Sequence, residues 1–304
     1  MTDILLTAVL PIFAVAAFGF IAGRTKLFDL AMAAVINRFV FYFPLPALSF
    51  NLLATARFDQ FNWSLLIGYF LSESGVYLLG LFIARLVFKR DWGESILLGV
   101  AAAYSNHVLF VLPIALTLFG DAVTLPIIAI IAVDSLFMVG LTMVVMDIMT
   151  LGKPSFSAVI SRLSKNPTIV ALLIGLAFGL LKIELPKGVG VFLSFVSATT
   201  APCALFALGI VLSNSNQSTP IALPMTMSII KVIVHPMIAI GTIVLGFQIT
   251  PEVARPALMV AAGPCGAMAF VMATHYNVRD HAIAKAILFS MVASILSVSL
   301  IAAY

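Results

Sequence analysis

The chain has 304 residues, 62% hydrophobic and only 9% charged, with a formal net charge of +4 and a mean hydropathy of +1.19. Soluble domains carry about 25% charged residues, so the composition excludes a soluble domain; the longest polar stretch, Ser213 to Pro220, is only a loop. Long apolar runs without two-residue alternation exclude a membrane β-barrel and predict helices.

Ten hydrophobic segments match a hydrocarbon core of roughly 30 Å: residues 4–22, 32–54, 63–88, 94–119, 122–149, 167–182, 189–212, 221–247, 254–275 and 282–303. Asp3 precedes the first, which lacks a basic leader, so it reads as a retained helix rather than a signal peptide. In the second, Pro44 and Pro46 predict a kink, and Asn37 and Arg38 are expected at the interface. The third holds Glu73 between Ser72 and Ser74. In the fifth, Asp134 lies deep, whereas Asp147 is expected near the surface and solvated. The sixth is cut short by Lys182 and Glu184, and Pro202 predicts a kink in the seventh. In the eighth, His235 follows Lys231 by four residues and shares its helical face.

The fourth and ninth segments break the pattern. Tyr104, Ser105, Asn106 and His107 interrupt the fourth, with Pro113 soon after; Gly263, Pro264, Cys265 and Gly266 interrupt the ninth. Proline removes a backbone donor, and asparagine offers the backbone an alternative to the helical ladder. Unpaired backbone groups are costly in hydrocarbon, so an unwound span survives only inside protein or beside a wet cavity. Taken alone, the fourth segment reads equally as a single proline-kinked helix. Two interrupted segments in matching places instead point to a transporter site.

The two halves echo each other at offsets of 156 to 158. Pro46–Phe50 corresponds to Pro202–Phe206, Glu73 to Lys231, and Asn106 to Pro264. Repeats 1–150 and 160–304, joined by a cytoplasmic linker of about 150–166, are therefore expected within one membrane domain, 1–304. Five helices per repeat force the second to run inverted. Nine Lys and Arg residues (Arg24, Lys26, Lys89, Arg90, Lys153, Arg162, Lys165, Arg279, Lys285) stand by the loops after odd-numbered helices, against four (Arg57, Lys182, Lys187, Arg255) after even ones. The positive-inside rule then puts both termini outside the cytoplasm.

A charge at the bilayer centre costs roughly 2.5–3.5 kcal/mol, so Glu73 and Lys231 each ask for a partner or a task. A protonatable Glu73–Lys231 pair behind a substrate site is one reading; a static ion pair between packed helices is the other. His235 and Asp134 join them as coupling candidates, with a structural hydrogen-bonding role as the alternative for Asp134. Ser105, Asn106, His107, Gly263, Pro264 and Cys265 are the candidate substrate contacts. A half-helix starting after Asn106 would point its positive dipole end at an anion. Cys203 and Cys265 lie in apolar segments and read as buried reduced thiols, with no disulfide framework and no metal spacing.

Several of these pieces resemble the auxin efflux carrier family. They are Ser105-Asn106 followed by Leu112-Pro113-Ile114 and Phe119-Gly120, Gly263-Pro264 followed by Tyr276-Asn277-Val278, Leu45-Pro46-Ala47-Leu48, and Ala204–Gly209. The resemblance covers nearly the whole chain. It implies an all-α integral membrane protein of ten transmembrane helices in two inverted five-helix repeats, with broken, crossing helices 4 and 9. It also implies a scaffold part, a transport part and an elevator movement. In that family Asn106 and Pro264 match substrate-contacting positions, and Glu73 matches an acidic position of helix 3. The large cytoplasmic loop of long plant members is missing, and Ser105 stands where the plant motif has proline. The chain thus looks more like bacterial members described as malonate or malate transporters.

The expectation is a non-enzymatic secondary transporter of a small organic anion in the cell inner membrane. It needs no cofactor beyond a coupling ion, H+ or Na+, and no nucleic acid; the lipid bilayer is its partner, and a homodimer is compatible with the sequence. A sodium-coupled carboxylate transporter is the nearest alternative, and a membrane sensor with a transporter fold the next. Serine, histidine and aspartate occur without an HExxH, GxSxG or paired-aspartate motif.

Overall fold

A computed structural model describes residues 10–56, 58–149, 161, 164–214 and 220–303. Asp3, Arg57, Lys153 and Arg162, with most of the expected linker, lie outside the described residues. Everything described is helical apart from turns and one isolated β-bridge. The helices are α1 (Leu10–Arg24), α2 (Leu30–Ala54), α3 (Trp63–Val87), α4 (Trp92–Ala103), α5 (Leu112–Phe119), α6 (Leu125–Met149), α7 (Pro167–Leu180), α8 (Lys187–Ser213), α9 (Ala222–Gly246), α10 (Pro251–Ala262), α11 (Met268–His275) and α12 (His281–Ala303). Six of them (α2, α3, α6, α8, α9 and α12) are long and apolar enough to cross a membrane.

Local chemistry sets the helix ends. Asp29, Asn62, Asp91 and Asn166 cap helix N-termini, each side-chain oxygen accepting from a backbone N–H two or three residues on. Left-handed residues follow six helices: Lys26 after α1, Lys89 after α3 and Gly120 after α5, then Lys182 after α7, Gln248 after α9 and Asn277 after α11. Such a residue turns the chain out of the helix. The two sets of three fall at equivalent places in the two halves.

Proline bends α2: Tyr42 ends one helical run, Phe43 leaves helical geometry (φ −126°, ψ −73°), and Pro44 starts the next. In α8 the break falls at Ala198 and Thr199, just ahead of Pro202.

Glycine pairs hold α1 against α8 and α7 against α2. A Cβ on Gly19 would stand 2.1 Å from the Phe206 carbonyl oxygen, and one on Gly175 would stand 2.7 Å from that of Phe50. Gly179 meets the Leu53 carbonyl in the same way, whereas Gly23 faces the Ser213 hydroxyl. Each is a Gly-x-x-x-Gly spacing, which lets membrane helices approach backbone to backbone. The two contacts are the same contact with its partners exchanged: Gly19 and Gly175 are 156 residues apart, as are Phe50 and Phe206.

The burial pattern is inverted relative to a soluble protein. Phe195 and Leu245 are more than 70% exposed, whereas Glu73, Asp134, Lys231 and His235 are fully buried. Apolar side chains on the outside suit a lipid solvent, which leaves the interior as the place for charge. One sequence expectation fails here. Asp147 is buried, not solvated, and accepts from Asn166 Nδ2 at 3.0 Å. Asn37 is also buried, and donates to Thr274 Oγ1 at 3.2 Å. Both sit where α2, α6 and α7 pack against neighbours, which spacing along one chain segment does not reveal.

Candidate functional site

The fourth and ninth hydrophobic segments are each split, and the two splits touch. After α4 the chain turns extended at Tyr104 (ψ 129°), and after α10 it does so at Gly263 (ψ 165°). Ser105 and Cys265 then pair as an antiparallel bridge. The N–H of Asn106 donates to the Pro264 carbonyl at 2.9 Å, and that of Gly266 to the Tyr104 carbonyl at 2.8 Å. The unwound peptide groups thereby satisfy each other where water cannot. Glycine is required for this approach: a Cβ on Gly266 would lie 2.3 Å from the Tyr104 ring. Helical geometry resumes at His107 and at Met268.

A helix that stops inside protein leaves carbonyls without partners. At the end of α10 each is met from a different element. Ser105 Oγ donates to the Val260 carbonyl through a short bond. Lys231 Nζ, from α9, donates to the Ala261 carbonyl at 2.6 Å. Ser297 Oγ, from α12, donates to the Ala262 carbonyl at 2.7 Å, and Ser290 Oγ accepts from the Cys265 N–H at 3.0 Å. Lys231 Nζ also bonds His235 Nδ1 at 3.1 Å.

An acidic group lies beside the crossing. His107 Nε2 pairs with Asp134 Oδ2 at 2.7 Å, and the Glu73 carboxyl faces that of Asp134. Asn106 Nδ2 reaches no hydrogen-bond partner among the described residues, and the Glu73 oxygens and Asp134 Oδ1 have only each other's carboxyl to face, although all are buried. Buried polar atoms are nearly always bonded, so a concentration of unpartnered ones is unusual.

The structure therefore brings all ten candidate residues into one connected group: Ser105, Asn106, His107, Gly263, Pro264 and Cys265 at the crossing, with Glu73, Asp134, Lys231 and His235 around it. The expected Glu73–Lys231 contact differs in detail. The two feel each other's charge, but among the described residues no ion pair within 4.0 Å joins them. Glu73 faces a second acid, and Lys231 faces backbone carbonyls.

Sequence reasoning missed Tyr69, Ser290 and Ser297. Tyr69 precedes Glu73 by one helical turn, and Ser290, Ser294 and Ser297 recur at intervals of four and three, a polar stripe on one face of α12. Among the described residues no group of three His, Cys, Asp or Glu side chains could hold a metal ion. A cavity of about 340 Å³ opens where α2, α6, α7 and α11 meet, lined by Phe41, Asp147, Lys165, Asn166 and His275.

Comparison with known proteins agrees with this architecture. A family model described as "Membrane transport protein" matches residues 4–302. A Rhizobium meliloti (strain 1021) protein named "Putative malonate transporter" is 25% identical over 306 aligned positions, 96% of this chain and 92% of that protein. The "Lysosomal cholesterol signaling protein" of Mus musculus is 24% identical over 221 positions, 68% of this chain but only 26% of that much longer protein. The chain belongs to the membrane transport protein family, the auxin efflux carrier family that its sequence resembles.

Proposed function

We propose that this protein is a secondary active transporter that moves a small carboxylate of the malonate or malate kind across the cytoplasmic membrane by alternating access. The observation that carries this reading is the meeting of two broken helices amid buried polar atoms that lack partners. Two interrupted helices facing each other are how secondary transporters build substrate sites. The name of the Rhizobium relative supports the substrate class.

In this reading the Asn106 amide donates to the substrate carboxylate, and the half-helices starting at His107 and Met268 present their positive ends to it. Glu73 and Asp134 carry the coupling proton, which two facing carboxyls can hold between them. The matched left-handed caps and exchanged glycine contacts support two inverted repeats, with α4–α5 and α10–α11 each completing a span, ten in all. The elevator reading makes α1, α2, α7 and α8 the fixed scaffold and the remaining helices the moving part. The cavity beside Phe41 and His275 lies between those two sets and serves as the cytoplasmic approach.

The test is uptake of radiolabelled mono- and dicarboxylates into proteoliposomes under separate proton and sodium gradients. Accumulation of a dicarboxylate driven by the proton gradient is expected; absence of flux for every carboxylate would refute it. The Mus musculus relative, named as a signaling protein, favours a sensor as the second reading. Saturable carboxylate binding without flux would select that one.

A further inference from the structure

We infer that the Lys231 ammonium is a tethered cation: it occupies the helix-end position where a sodium-coupled transporter would hold its ion, so this protein works without sodium. The inference rests on the transporter reading and adds to it the identity of the coupling chemistry.

The C-terminal end of a half-helix carries exposed carbonyls and partial negative charge, and such ends coordinate sodium in secondary transporters. Here that place is filled by a side chain. Lys231 Nζ has three neighbours that accept hydrogen bonds: the Ala261 carbonyl at 2.6 Å, the Val260 carbonyl at 3.5 Å and His235 Nδ1 at 3.1 Å. An ammonium has three hydrogens and no lone pair, so the set matches it donor for acceptor. Two of the three ligands are backbone carbonyls, the ligands of a hard cation, and among the described residues no carboxylate comes within 4.0 Å.

The histidine extends the arrangement. With Nδ1 accepting from Lys231, the ring hydrogen belongs on Nε2, which faces the Ala103 end of α4 without reaching a hydrogen-bond partner among the described residues. The charge thus serves the inward C-terminal end of α10 directly. The other charged or titratable groups around this point are Glu73, Asp134 and His107, together with the Cys265 thiol and the Tyr69 phenol, whose ring centroid lies 5.8 Å from that of His235. A lysine placed only to balance Glu73 would sit at ion-pair distance from it.

The purified full chain in detergent allows the test. Melting temperature is measured in sodium, potassium and choline chloride at equal ionic strength, for the wild type, Lys231→Ala and Lys231→Met. The wild type should melt at the same temperature in all three salts. Lys231→Ala should melt lower and recover selectively with sodium chloride, with the recovery growing as the logarithm of concentration. Lys231→Met, which refills the space with an apolar chain, should not recover.

Sodium-selective stabilisation of the wild type would overturn the inference. So would a Lys231→Ala protein as stable as the wild type, or one indifferent to every cation. If neither variant folds, the wild-type comparison decides: equal melting in the three salts upholds the inference. Because none of these readouts needs flux, a protein that fails to transport would sink the transporter reading while leaving the cation result to stand or fall alone.

Discussion

The backbone N–H of Asn106 donates to the carbonyl of Pro264 at 2.9 Å, joining two residues from opposite halves of the chain. That bond and its mate from Gly266 to Tyr104 fix the ends of four half-helices at one point. A side chain on either strand is therefore held by backbone pairing rather than by a flexible loop, which keeps a binding group in place at little entropic cost.

Asn106→Ala should weaken substrate binding without unfolding the protein. The Asn106 Nδ2 has no hydrogen-bond partner, so truncation breaks no bond that this nitrogen makes in the fold. A hydrogen bond to a charged group contributes about 1.5–3 kcal/mol, which corresponds to an affinity loss of roughly ten- to hundredfold. Calorimetric titration with the transported carboxylate, alongside a melting curve, checks both halves.

Glu73→Gln and Asp134→Asn should each leave folded protein but uncouple uptake from the proton gradient. The amides keep the shape of the facing pair and cannot carry the proton. Exchange of labelled for unlabelled substrate should persist while gradient-driven accumulation falls at least tenfold. Undiminished proton-driven uptake in both variants would remove these residues from the coupling step.

Gly19→Val and Gly175→Val should both destabilise the protein, by about 1–3 kcal/mol or more as expected for overpacking. In each case the new side chain would meet a carbonyl across the helix pair. Gly75→Ala is the control, because nothing lies within 4 Å of its Cβ position. Thermal unfolding in detergent should rank the first two together and well below the third.

The imidazole of His275 stacks on the Phe41 ring, centroids 3.4 Å apart and nearly parallel (5°), joining α11 to α2. If α11 travels relative to α2 during transport, that contact must open. Cross-linking the double variant Phe41→Cys, His275→Cys should abolish uptake, and reduction should restore it. Uptake that survives a complete cross-link would argue against an elevator moving between these helices.

Asn166→Ala should cost about 1 kcal/mol from loss of the α7 cap, and more through the lost bond from Nδ2 to the buried Asp147. Asn166→Asp should be the worse of the two, since it sets a second carboxylate against Asp147. Melting curves of the two variants test that order.

Membrane embedding, the helical class and the locations of the two breaks were legible in the sequence, because apolar length and the Asn106 and Gly263-Pro264 interruptions are local properties. The glycine spacing at Gly19-Gly23 and Gly175-Gly179 is equally local, but its purpose depends on the partners Phe206 and Phe50, which lie far along the chain. Burial of Asp147 and Asn37 was not legible, because it depends on neighbours far along the chain. The same holds for Lys231. From sequence its natural partner is Glu73, the residue at the matching place in the other half. Only the packed helices show that the ammonium meets carbonyls of Ala261 and Val260, while Glu73 meets Asp134.

Taken by itself, the order of residues determined which stretches lie in lipid and where two of them cannot stay helical; both follow from the free energy of leaving a peptide group unbonded in hydrocarbon. Which unwound group pairs with which, and which charge faces which, was decided only by tertiary structure. Charges act through space, and the distance between Lys231 and the end of α10 is set by how α9, α10 and α12 pack, not by the number of residues between them.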